Sequence, residues 1–187
     1  GTWSLLGTEL PAPVTSEAAL NAGFTNEGGW AHTTRFLKNI MGMWMIQSIR
    51  KEINNQYTYA EMAEMAAKSD YAAYVDAEDN RFLAPESMME EVKAALAEAG
   101  APKPESLADV IRAVAMGLAV CYRDSIREMS RLTGQTFTSI NIVGGGSQNL
   151  TLNRMTAELT GMPVYAGPTE GTALGNLAAQ MIAGGDL

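Results

Sequence analysis

The sequence predicts an α/β fold, and three observations carry that expectation. Leu107, Val110, Ile111, Val114, Leu118, Cys121, Ser125, Met129 and Leu132 keep one apolar face through about seven helical turns. Ser106 with Asp109 three residues on reads as a capping box that opens this helix, and Gly134 stops it. The β-branched run over residues 137–143 then leads into Gly144-Gly145-Gly146, and residues 149–159 continue as a helix. Pro163-Val164-Tyr165 is a second short strand, followed over residues 169–182 by a small-residue helix expected to turn Ala173, Leu174, Leu177, Ala178 and Met181 inward. Strand, glycine turn, helix, strand, helix is the order of an α/β domain.

The preceding elements read in turn. Residues 1–7 form a short strand, and residues 11–29, with Pro11, Pro13, Gly28 and Gly29, give short strands or an irregular connection. Residues 33–53 lack proline, and Leu37, Ile40, Met41, Trp44, Met45 and Ile49 make an apolar face for one mostly buried helix. Asn39 and Gln47 are the polar exceptions in its middle. A helix over residues 59–68 precedes a polar loop over residues 70–84. Ser87 with Glu90 opens a helix carrying Met88, Val92 and Leu96, which Gly100 and Pro102-Lys103-Pro104 close. The twelve methionines, Met41, Met62 and Met88 among them, suit adaptable core filling.

Composition narrows the function. With 47% hydrophobic and 18% charged residues in a chain of 187, one sizeable core is expected and a disordered tail is excluded. Thirteen Lys and Arg against 21 Asp and Glu leave a net charge of -8, which argues against neutralising nucleic-acid phosphates. There is no apolar stretch long enough for a membrane span. The lone Cys121 has no partner for an internal disulfide, so a cytoplasmic location is the default. Both ends are abrupt, and the chain reads as a fragment of a longer protein.

The strongest local signal is Val143-Gly144-Gly145-Gly146-Ser147-Gln148-Asn149. Glycines let a flat or anionic ligand approach the backbone, and the helix start offers unpaired N–H groups. Asn149 stands where a dinucleotide-binding fingerprint would have its third glycine, and no Gly-Lys-Ser/Thr follows as in a Walker loop. The spacing alone leaves nucleotide binding and a simple strand-to-helix turn equally open.

The residues resemble a known family. Gly144 to Asn149, Leu152-Asn153, Thr160-Gly161-Met162-Pro163-Val164 and the Gly167 to Asn176 segment are similar to the C-terminal domain of the FGGY carbohydrate kinases. Gly1 to Leu5, Thr25 to Gly29, Leu37 to Trp44 and Asp79 to Leu83 extend the likeness over nearly the whole chain. The implied fold is the C-terminal domain of the actin-like ATPase, ribonuclease H-like sugar kinase fold: a mixed sheet with long flanking helices. One domain over residues 1–187, with a helical insertion at about 58–104, is expected.

The resemblance implies transfer of the γ-phosphoryl group of ATP, with Mg2+, to the 1-hydroxyl of L-rhamnulose. The partners would be sugar, ATP and the protein's own N-terminal domain, with no nucleic acid or membrane. It further implies that Thr2 contacts the phosphates, that Gly145 and Asn149 line the adenosine pocket, that Gln47 faces the nucleotide and that Asn39 faces the sugar. On one helix Asn39 and Gln47 would lie about 12 Å apart on a common face; a buried amide network is the plainer alternative. The family's general-base Asp and first phosphate loop would lie upstream of Gly1, so no catalytic residue is expected in this chain. Xylulose, fuculose, gluconate or glycerol as the sugar, and a non-catalytic actin-like assembly domain, are the competing readings.

The remaining singletons read as structural. His32 suits a helix start, Cys121 packs on the long helix, and Asp76, Glu78 and Asp79 lack the spacing of a calcium loop and read as a solvated surface.

Overall fold

The computed structural model describes residues 3–186, and its elements are a three-stranded sheet, a two-stranded sheet and helices gathered on one long helix. Strand β1 (Ser4–Leu10) pairs antiparallel with β3 (Thr34–Ile40), Ser4 opposite Ile40 and Leu10 opposite Thr34. Strand β2 (Phe24–Gly28) lies on the other edge of β3, giving the order β1-β3-β2. The short α1 (Glu17–Asn21) joins β1 to β2 and is capped by the Ser16 hydroxyl, which accepts from the Ala19 N–H at 3.2 Å.

The single helix expected over residues 33–53 is replaced by β3, a turn and α2 (Trp44–Glu52). Phe36 and Ile40 point into the core at 0% and 1% exposure while Arg35 and Asn39 point out, a period of two that competes with the helical period over the same residues. Gly42 decides between them. It sits at φ +56°, and a Cβ there would meet the Ser4 Oγ at 2.5 Å, so the turn closes against the start of β1.

Helix α3 (Tyr59–Lys68) begins with a capping box in which the Thr58 hydroxyl accepts from the Glu61 N–H and the Glu61 carboxylate accepts from the Thr58 N–H. Helix α4 (Met88–Glu98) has Ser87 as its cap, but Glu52 at the end of α2 supplies the second acceptor. Its carboxylate receives the N–H groups of Met88 at 2.5 Å and Met89 at 3.3 Å, and the Ser87 hydroxyl at 3.0 Å. A negative group at a helix N-terminus is favourable, and this one ties two helices together.

Helix α5 (Leu107–Thr133) carries the expected Ser106–Asp109 capping box and ends at Gly134 with φ +70°. Ile111, Val114 and Leu118 from α5 are buried with Met45 and Ile49 of α2, Met62 of α3, and Met88, Val92 and Leu96 of α4. Further along, Met129 joins Leu10, Ala19, Phe24 and Phe36 beneath the three-stranded sheet, where the Phe24 and Phe36 rings stack 4.7 Å apart. The loop over residues 70–84, expected to be solvated, is anchored instead: Val75, Ala77 and Phe82 are buried, and Asp76 and Glu78 face out between them. Gly117 makes room for this loop, since a Cβ there would meet the Val75 carbonyl oxygen at 2.2 Å.

The strand expected over residues 137–143 shortens to β4 (Ile140–Ile142), which pairs in parallel with β5 (Val164–Ala166) through the intervening α6 (Leu150–Thr160). Helix α7 (Gly171–Gly184) follows. Its apolar stripe was expected inward, yet Leu174, Leu177, Met181 and Ile182 are exposed, and α7 has no buried residue. The sequence pattern records a surface that seeks burial, and nothing among the described residues covers it.

Candidate functional site

The site begins where β4 ends. Gly144 turns the chain at φ +84°, and its N–H donates to the Pro168 carbonyl at 2.9 Å. Residues 145–148 make one tight turn, after which the Asn149 side-chain oxygen accepts from the Leu152 N–H at 3.0 Å and caps α6. From the first turn of α6 the buried Asn153 reaches back, donating to the Ser147 carbonyl at 2.9 Å. Asn153 was legible only as part of the family resemblance. Its spacing of four from the capping Asn149, which places both amides on the same side of the helix start, is the local signal.

The three glycines are not equivalent. Gly144 needs its left-handed backbone, whereas Gly145 lies outside that region, and a Cβ built on it would meet no atom within 4 Å. The fold therefore does not demand glycine at 145.

Met43, which precedes α2, comes to this turn, and Gln47 follows one helical turn on. The Asn149 side-chain nitrogen lies 3.8 Å from the Met43 sulfur, and the Gln47 N–H donates to the Met43 carbonyl at 2.9 Å, one turn along α2. Gln47 is half-buried there. Asn39 is placed differently from the expectation: it stands exposed on β3 opposite Leu5, and the two amides share no helix face. The turn at residues 41–43 connects them. Thr2 lies outside the described residues.

Beside Asn39 is a cavity of about 150 Å³ whose wall includes Trp3, Met41, Glu78, Asn80 and Leu83. Glu78 pairs with Lys38 at 2.6 Å. The loop carrying Asn80 is held by the Trp44 indole N–H, which donates to the Phe82 carbonyl at 3.0 Å, and by Arg81, which reaches the carboxylates of Asp79 at 2.9 Å and Glu98 at 2.6 Å.

Two groups raised by burial lie away from the glycine turn. Burial pushes the Cys121 thiol up to about 12, so it stays protonated and serves packing. Burial likewise pushes the Tyr122 phenol up to about 12, and its hydroxyl is within 2.6 Å of the Ser4 Oγ, joining α5 to β1. His32 is exposed at φ +65° in a short turn. Among the described residues no three His, Cys, Asp or Glu side chains converge, so these residues do not by themselves make a cage for Mg2+. No described helix is long and apolar enough to cross a membrane.

The glycine turn leads into α6, and Met43 links it to the start of α2. Residues 1–184 match the family of FGGY carbohydrate kinases, C-terminal domain, and the chain belongs to that family. Its relatives include the rhamnulokinase of Oceanobacillus iheyensis, 44% identical over 98% of this chain and 39% of that protein. They also include the rhamnulokinase of Enterococcus faecalis, 44% identical over 100% and 38%, and that of Bacillus subtilis, 39% identical over 98% and 38%. The chain thus spans about two fifths of the length of these relatives. The xylulose kinase of Bifidobacterium adolescentis shares the fold, with a TM-score of 0.59 at 19% identity over 88% of this chain and 31% of that one.

Proposed function

We propose that the chain is the nucleotide-binding half of a rhamnulokinase, which transfers the γ-phosphoryl group of ATP to the 1-hydroxyl of L-rhamnulose. The observation that carries this reading is the end-to-end match to rhamnulokinases, 44% identical over 98% of the chain. The local geometry supports it: an unobstructed backbone at Gly145 beside the Asn149 cap, with Met43 of the α2 start against Asn149. In this reading the adenosine lies against Gly145 and Asn149, Gln47 meets the nucleotide, Thr2 meets its phosphates and Asn39 meets a sugar hydroxyl. The magnesium ion arrives with the ATP phosphates and offsets their charge. Residues 1–187 are one domain in which the segment at about 58–104 is a helical insertion.

The general base that accepts the sugar proton belongs to the remainder of the kinase, which also covers the apolar stripe of α7. Positioning and general-base catalysis are each worth orders of magnitude, so this half alone is expected to bind ATP weakly and to transfer nothing. The test is ADP release with Mg-ATP and L-rhamnulose, comparing the full-length protein with the 187-residue chain. Sugar-dependent release is expected from the full-length protein only. Release from the purified chain, after exclusion of contaminating kinase, would show that the catalytic groups lie within it.

A further inference from the structure

We infer that Asn80, on the loop between α3 and α4, is a second sugar-orienting residue that works with Asn39 and selects an uncharged polyol. This rests on the kinase reading above and extends it to residues that neither the glycine turn nor the Asn39 assignment includes. The two asparagines come from segments 41 residues apart, yet both border the 150 Å³ cavity. Both side chains are exposed, and neither amide is engaged by another side chain or backbone group among the described residues. Each amide offers two N–H donors and one carbonyl acceptor, which matches sugar hydroxyls that donate and accept at once.

The rest of the wall fits the same chemistry. Trp3, 46% exposed, supplies an aromatic surface for the C–H face of a sugar. The one carboxylate on the wall, Glu78, is paired with Lys38, so that cation is already engaged and the described wall offers none for an acidic sugar. Asn80 is also held in place before any ligand arrives. Phe82 is fully buried two residues on, Trp44 bonds its carbonyl, and Arg81 clamps the turn to α4. With the backbone of the turn fixed, only the side-chain rotamers of Asn80 remain to be ordered on binding.

The experiment uses the full-length protein and measures KM and kcat for sugar and ATP separately. Asn80→Ala is expected to raise the KM for L-rhamnulose by about three- to tenfold with the ATP KM within twofold of the parent. Asn80→Gln, which keeps the amide, should recover part of the loss, and the thermal midpoints of all three proteins should agree. Gluconate should not be phosphorylated by the parent. An unchanged sugar KM in Asn80→Ala, or equal rises for sugar and ATP, would overturn the role of Asn80 while leaving the kinase reading intact. Efficient turnover of gluconate would overturn the selection for an uncharged polyol. No sugar-dependent ADP release from the unmodified protein would overturn both readings.

Discussion

Gly144 and Gly145 are adjacent and chemically identical, yet the structure separates their reasons for being glycine. At 144 the backbone is left-handed, so any side chain strains the turn itself. At 145 a side chain has open space and an ordinary backbone. Gly145→Val should therefore leave the thermal midpoint of the chain nearly unchanged while weakening ATP binding about tenfold or more, measured by calorimetry on the full-length protein. Equal affinities would remove the adenosine from this position. Cys121 illustrates the opposite case, a reactive residue type made inert by its surroundings, because burial on α5 keeps its thiol protonated.

At the scale of elements, stability is concentrated at helix starts whose caps are supplied both locally and at a distance. Ser106 and Asp109 are a local pair. The Ser69 hydroxyl, above all, and the N–H groups at Glu105 and Ser106 hold the Asp109 carboxyl below its usual range. That contribution is present above the ordinary carboxylate range and is lost as the pH falls through the lowered folded value. Glu52 is a distant cap. Glu52→Ala leaves two N–H groups at the start of α4 without their carboxylate and separates α2 from α4, whereas Ser106→Ala removes one local bond. Each should lower stability by about 1 kcal/mol by urea denaturation, and Glu52→Ala should be the costlier. A smaller loss for Glu52→Ala than for Ser106→Ala would show that the contact between helices adds nothing.

Sequence reading succeeded where caps and periodicity agreed. Ser87 with Glu90, Ser106 with Asp109 and the glycine stops at 100 and 134 bounded their helices closely. It failed at residues 33–40, where Leu37 and Ile40 fit a helical face, Phe36 and Ile40 fit a strand face, and only the close approach of Gly42 to Ser4, a long-range one, resolves them. The error carried into the site, since the common face for Asn39 and Gln47 depended on that helix. Residues 70–84 misled in a similar way. Their acidic residues are solvated, but the alternating Val75 and Ala77 anchor the loop on α5 and so place Asn80 beside Asn39. The glycine turn was legible from its residue types, while the Asn153 bond that clamps it was not.

Over the whole molecule, burial is distributed very unevenly. One flank of α5 is buried from Val110 to Met129, with α2, α3, α4 and α6 packed against it, whereas α7 has no buried residue and meets Val143 at its first residue, Gly171. Amide protons report that difference directly, because a helix whose bonds can break without exposing new apolar surface opens at little cost. In hydrogen exchange on the isolated chain, amides over 110–126 should be the slowest and those over 172–183 should exchange within seconds to minutes. In the full-length protein the α7 amides should become slow, approaching those of α5. Equal protection of α7 in both would mean that its stripe gains nothing from the remainder of the kinase. On the proposed reading, the exposed Leu174, Leu177 and Met181 make α7 a built-in reporter of docking, since its exchange rate would follow the joining of the two halves without any substrate present.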